Sequence, residues 1–201
     1  MAKTRREEQR LQTRARILRV AAEEFDQRGY ASVALSEIAT RLEMTKGTVY
    51  FHFPSKAALA SAVVDSYFTL WEAVLADLSN QELHGIAALR WLSRHVAQSY
   101  RDDPGMRAPL RLMREADAIG VDLPTPFVSW IQTATEYVRQ AQHRGEVRDE
   151  LDAEAVAWQI VAGIFGAQEI SHQLTGNADI VDRIEGMWDV LLPGIEAANP
   201  D

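Results

Sequence analysis

Apolar residues recur at three- and four-residue intervals along most of the chain, and no segment of useful length alternates in steps of two. That periodicity predicts an all-α protein. Ile17, Leu18, Ala21 and Phe25 mark a first helix, which Gly29 is expected to end. Leu35, Ile38, Ala39 and Leu42 mark a short second helix, and a break around 43–45 leads to a third through Tyr50. Pro54 and Ser55 stop that helix and start a long fourth over 56–78. Further helices are expected over 83–101, 106–118, 124–144, 152–175 and 179–197. Pro124 and Pro126 suit a helix start, Gly145 a helix end, and Gly176-Asn177 the last turn. The total is about nine helices: a three-helix head over 1–55 and a larger helical body over 56–201.

The net charge of −8 is unevenly spread. Residues 1–56 hold 11 Lys/Arg against 7 Asp/Glu, while the remainder holds 10 against 22. A basic head on an acidic body suits a module that binds a polyanion, joined to one that does not. There is no cysteine, which excludes disulfides, thiolate metal sites and cysteine nucleophiles. The opening MAKTRREEQR has no apolar run behind it, so no signal peptide is expected, and no membrane-spanning stretch either.

Residues 35–53 carry the candidate chemistry. Ile38, Ala39, Leu42 and Val49 are spaced to pack two short helices on the first, with small Ala39 at the close approach. The third helix then offers Thr45, Lys46, Thr48, Tyr50 and His52, all able to meet phosphate or base edges. Gly47 would let that turn come close to DNA. Lys56, Arg14 and the Arg5-Arg6 arm are candidate phosphate contacts, and Ser36 is a candidate DNA contact or helix cap. Val49 and Phe53 read as core.

The body offers a dimer face and a pocket. The 152–175 helix is apolar on more than one side, which suggests burial on both. A twofold four-helix bundle is expected from Val156, Ile160, Gly163, Ala167, Ile184 and Trp188; the alternative is that all of these lie in one subunit's core. Trp91, Phe127 and Trp130 are among the aromatic residues that make a ligand cavity reasonable.

The segments Phe25-Asp-Gln-Arg-Gly-Tyr30, Leu35-Ser-Glu-Ile-Ala39, Thr45-Lys-Gly-Thr-Val-Tyr-Phe-His-Phe53 and Lys56-x-x-Leu59 together resemble the TetR-family DNA-binding domain. The resemblance implies a recognition helix lined by Thr45, Lys46, Gly47, Thr48, Tyr50 and His52, with Lys56 on backbone phosphate. The family usually has Ser or Thr where this chain has Ala34; the missing cap costs about 1 kcal/mol, to be recovered by Ser36 or Ser32. Tyr50-Phe-His-Phe-Pro-Ser-Lys56 with Phe127-Val-Ser-Trp130 is similar to the γ-butyrolactone-receptor branch, which implies a homodimeric repressor of antibiotic production. Such a protein releases a near-palindromic operator on binding a lactone, butenolide or furan. Trp130 matches a pocket tryptophan of that branch. Where those receptors offer an amide and a hydroxyl, this chain has Tyr67 and Ile164; the ligand is then expected near Tyr67, Trp91, Leu110 and Trp130. A different apolar signal and a ligand-blind regulator stay open.

No cofactor, metal or membrane partner is expected, and the location implied is cytoplasmic. Glu169-Ile-Ser-His172 is one half of a di-iron motif with no second copy, and no phosphate-binding glycine loop is present. A helical ligand-binding enzyme is the reading from another class; it would not shift DNA.

Overall fold

The computed structural model describes residues 5–125 and 127–197, so the expectation at Pro126 lies outside the described residues. Among these residues are ten helices: α1 (Arg5–Ser32), α2 (Leu35–Arg41), α3 (Lys46–His52), α4 (Lys56–Asn80), α5 (Gly85–Asp102), α6 (Pro104–Arg114), α7 (Ala116–Ile119), α8 (Val128–His143), α9 (Ala153–Thr175) and α10 (Ile180–Ile195). An isolated antiparallel bridge joins Val147 to Glu196. The protein is all-α.

The chain divides into two compact units. One holds the residues up to Trp71 together with Asp103–Pro124; the other holds Glu72–Asp102 and the residues from Thr125 on. The boundary expected at 55/56 follows the DNA motif, whereas the compact division returns α6 and α7 to the first helix. In this first unit Ile17, Ala21 and Phe25 of α1 are buried, as are Ile38, Val49, Phe53 and Leu59. Fully burying each large apolar side chain contributes about 1.5–3 kcal/mol, so this shared apolar core gives the two short helices α2 and α3 a reason to pack on the long α1.

Two helices differ from expectation. Gly29 does not end α1; it breaks it, with φ 75° and ψ 167°, and a further turn continues to Ser32. The single helix expected over 106–118 is two, α6 and α7, separated at Glu115. Glu115 stands at both places: it separates α6 from α7, and its side chain accepts from Tyr30 N–H, just past Gly29, at 2.7 Å.

In the second unit α9 packs against α8 and α10, and α5 against α8 and α10. Asp152 caps α9 by accepting from Glu154 N–H at 3.0 Å. Gly163 lets α10 come close, since a Cβ there would stand 2.5 Å from Met187 Sδ. Contrary to expectation, one helix, α4, is long and apolar enough to cross a membrane by length and composition. Its Leu59, Val63, Val64, Tyr67 and Trp71 are buried in the fold and it carries Asp65, Glu72 and Asp77, as a core helix does.

Candidate nucleic-acid interface

α3 is a seven-residue helix that buries only Val49. Thr45 starts it in extended conformation and its hydroxyl accepts from Thr48 N–H at 3.1 Å. The two threonine hydroxyls lie 2.8 Å apart, which fixes both on one side of the helix start. Lys46 is exposed, and its ammonium lies 5.5 Å from the Tyr50 ring. A Cβ on Gly47 would meet only Thr45 Oγ1, at 3.8 Å, so nothing within the chain demands glycine there. A surface that must approach another molecule closely supplies a reason the fold does not. Phe53 and Val49 are core.

The far end of α3 meets α1. The Arg14 guanidinium sits 4.3 Å above the Phe53 ring, an arrangement that holds it in place while leaving its charge beside the end of α3. The His52 imidazole is held below its ordinary pKa, first by partial burial and then by the positive charges of Arg14 and Arg10. Arg10 was missing from the sequence expectation; its spacing of four from Arg14 on one helix face was the signal available. Phe51 was also missed: it is 76% exposed, more than Tyr50 at 41%. Arg5, Arg6 and Ser36 are exposed on α1 and α2; the Ser36 carbonyl accepts from Thr40 Oγ1.

Lys56 departs from expectation. Its ammonium donates to the carbonyls of Tyr30 (2.7 Å), Val33 (2.9 Å) and Ala31 (3.3 Å), and lies 4.2 Å from the Tyr30 ring. An ammonium has three N–H donors, and all three are engaged. Lys56 therefore ties α4 to the end of α1 and has none to spare for phosphate. The cap of α2 also differs. Ala34 has no side-chain acceptor, and neither Ser36 nor Ser32 replaces it. Glu37 reaches back instead and accepts from Ala34 N–H at 2.9 Å, while also pairing with Arg28. Only the reciprocal half of a capping box is formed.

In the second unit, Phe165 gathers an aromatic cluster: Phe127 at 4.3 Å between ring centroids, Trp130 at 5.2 Å and Tyr100 at 6.3 Å. A hollow of about 380 Å³ opens beside it, lined by Phe127, Val128, Ile131, Trp158, Val161, Ala162 and Phe165. Phe127 has φ 79°, a conformation a bulky residue adopts at a cost of about 1–3 kcal/mol. Among the expected ligand residues, Phe127 and Trp130 thus come together, around a phenylalanine that was not among them. Ile164 is buried. Trp91 instead stacks on His95, 4.8 Å away. Tyr67 and Leu110 are core residues in the first unit's stretches of chain.

The expected dimer face needs correcting. Ile160, Ile184 and Trp188 are 1%, 0% and 1% exposed within one chain, and Val156 is buried as well. Side chains enclosed by their own subunit cannot touch another. Gly163 faces Met187 of its own chain, and Ala167 is only half-exposed. The apolar residues left open are Trp158 (54%), Ile170 (60%) and Leu174 (76%) on α9 and Val190 (83%) on α10. Glu169 and His172 have separate partners, Gln173 and Asn177. Among the described residues no three His, Asp or Glu side chains gather as a metal site would require.

Residues 17–63 match the model of bacterial regulatory proteins of the tetR family, and residues 85–196 match a tetracyclin repressor-like C-terminal domain. The chain belongs to the TetR family, whose members are regulators and not enzymes. It is similar to the A-factor receptor protein of Streptomyces griseus, 35% identical over 185 residues; these are 92% of this chain and 64% of that protein. The chain thus spans under two thirds of that relative's length. A crystal structure of a γ-butyrolactone receptor, an ArpA-like protein, aligns with TM-score 0.79 and 31% identity over 94% of this chain and 91% of the other. CprB of Streptomyces coelicolor, solved in complex with its biological operator sequence, aligns with TM-score 0.80 and 32% identity, covering 94% and 90%.

Proposed function

We propose that this chain is a homodimeric transcriptional repressor whose head, residues 1–55, holds a near-palindromic operator. The single observation that carries the reading is the exposed row of Thr45, Lys46 and Tyr50 on α3, flanked by Arg14. Hydrogen-bonding groups and cations on a short open helix suit base edges and phosphates. The likeness to an operator-bound relative supports it.

The rest of the chain, 56–201, dimerises and receives the effector. The dimer forms through the open apolar residues Ile170 and Leu174 of α9 and Val190 of α10, with two α9–α10 pairs making a four-helix bundle. Paired heads then meet half-sites about 34 Å apart, one turn of DNA. The effector is a small, mostly apolar molecule of the γ-butyrolactone, butenolide or furan type, received at the Phe127–Trp130–Phe165 cluster. Its binding lowers operator affinity about 5–150-fold, the ordinary span of allosteric coupling. Secondary-metabolite or antibiotic genes are the targets, and the cytoplasm is the location. A second reading, an unrelated apolar signal or none, is favoured by Ile164, which is buried and has no group to offer a polar ligand.

The test is a gel shift on duplexes from just upstream of the chain's own coding sequence. A shift reversed by a synthetic γ-butyrolactone supports the full reading. A shift that the lactone leaves and culture extract reverses supports the other signal. A shift that neither reverses supports the ligand-blind form. No shift on any upstream duplex would overturn the DNA reading.

A further inference from the structure

In an unbroken helix Tyr30 N–H would donate to the carbonyl of Asp26, four residues back. The break at Gly29 separates these two groups, and each finds a partner on the α6 side. The Asp26 carbonyl accepts from Arg111 Nη1 at 2.6 Å, and Tyr30 N–H donates to Glu115 Oε2 at 2.7 Å. Arg111 and Glu115 are themselves bonded, Nε to Oε1, at 3.0 Å. An ion pair is thus spliced into α1 in place of a missing backbone hydrogen bond. Gly29 makes room for it: a Cβ there would stand 2.6 Å from Arg111 Nη2 and 2.9 Å from Glu115 Oε1. The Asp26 carboxylate is held in addition by Arg107, at 2.8 Å. Beyond the break, Lys56 collects the carbonyls of Tyr30, Ala31 and Val33.

We propose that Arg111 and Glu115 are positioning residues for operator reading, which lock the bend of α1 at Gly29 and so fix the angle at which α3 is presented. The proposal rests on α3 being the DNA-reading helix. A joint of directed hydrogen bonds suits this task better than apolar packing does. Apolar contacts slide at small cost, whereas a charged pair turned out of line leaves its charges unmatched. The geometry also amplifies. Arg14, beside α3, is fifteen residues from Gly29 along α1, about 22 Å at 1.5 Å per residue. A tilt of about 10° at the break moves that point by about 4 Å, more than the tolerance of a hydrogen bond. Neither residue touches DNA in this account, so their loss should change affinity and leave the count of phosphate contacts alone.

The experiment titrates the full-length chain against the shortest upstream duplex that the wild type shifts, at several salt concentrations. Arg111→Met and the milder Glu115→Gln should each weaken binding about tenfold with the salt slope of the wild type. Hydrogen exchange should quicken at the Tyr30 amide while the amides of α3 keep their protection, and the melting temperature of Glu115→Gln should stay within a few degrees. Wild-type affinity in both variants would overturn the proposal. So would a loss of affinity that only tracks a fall in melting temperature with α3 protection lost, since the pair would then serve stability alone. A wild-type chain that shifts no duplex removes the DNA reading itself, an outcome distinct from both.

Discussion

Both units bury an apolar core and both carry ion pairs, Arg90 with Glu185 in the second among them, but they differ in what surrounds their candidate sites. The first ties its parts with charged and hydrogen-bonding groups: Arg41 with Glu23 and Glu24, Arg28 with Glu24 and Glu37, Arg107 with Asp26, and Lys56 with three carbonyls. The second gathers aromatic rings around Phe165 and leaves an apolar hollow and an apolar strip open. Directed bonds suit a part that must present one face at one angle. Loose aromatic surroundings suit a part that must accept a guest. The difference teaches where a single substitution should be felt: as geometry in the first unit, as volume in the second.

The largest expected effect is in the second unit. Trp130→Ala removes a buried ring beside Phe165 and should cost about 3–5 kcal/mol of stability in thermal or denaturant unfolding. It should also abolish release by the effector while the chain still binds operator below its melting temperature. Normal release in this variant would take Trp130 out of the pocket.

Next is the bend of the first unit. Gly29→Ala places a methyl against Arg111 and Glu115 at a φ that favours glycine, and should cost about 2–3 kcal/mol. Differential scanning calorimetry checks it; an unchanged melting temperature would mean the bend relaxes freely.

The two lysines give a sharper contrast. Lys46→Ala should weaken operator binding about tenfold and flatten its salt dependence by about one ion. Lys56→Met should weaken binding with the slope intact, because its ammonium is spent on carbonyls. Equal slopes for the two variants would erase the distinction.

The smallest effect is a titration. His52 starts below its ordinary value through burial and the charges of Arg14 and Arg10. A histidine lowered in the folded state binds its proton less readily than the unfolded chain does. Its contribution to stability is present above the ordinary value of 6.5 and is lost as the pH falls from there through the lower folded value. NMR should place the His52 midpoint below 6.5 and move it upward in Arg14→Gln, and upward again when phosphates neutralise those arginines.

The head was legible because its chemistry is local. Residues 45–52 lie on one short helix whose exposed side follows directly from Val49 being the inner one. The joint at Gly29 was not legible, because its partners lie about eighty residues away and only folding brings them together. Nor could spacing reveal that Lys56 faces inward, since an exposed and an engaged lysine leave the same pattern. The dimer face failed for a related reason. Val156, Ile160, Ile170 and Leu174 fall on one apolar stripe, yet its first half is covered by the chain's own helices and its second half is open. Periodicity finds a stripe, and neighbours decide how much of it is covered. The interruption at Glu115 was invisible for want of any proline or glycine to mark it.

The bare ring of Phe51 has a consequence for handling the protein. It is an adhesive spot on a head whose residues 1–56 hold 11 Lys/Arg against 7 Asp/Glu, and at low ionic strength that excess of positive charge holds like heads apart. At about 1 M salt the reach of that repulsion shrinks to about 3 Å, and contact between rings goes unopposed. Without DNA the chain should therefore clump when salted, and a charged residue at position 51 should keep it dispersed.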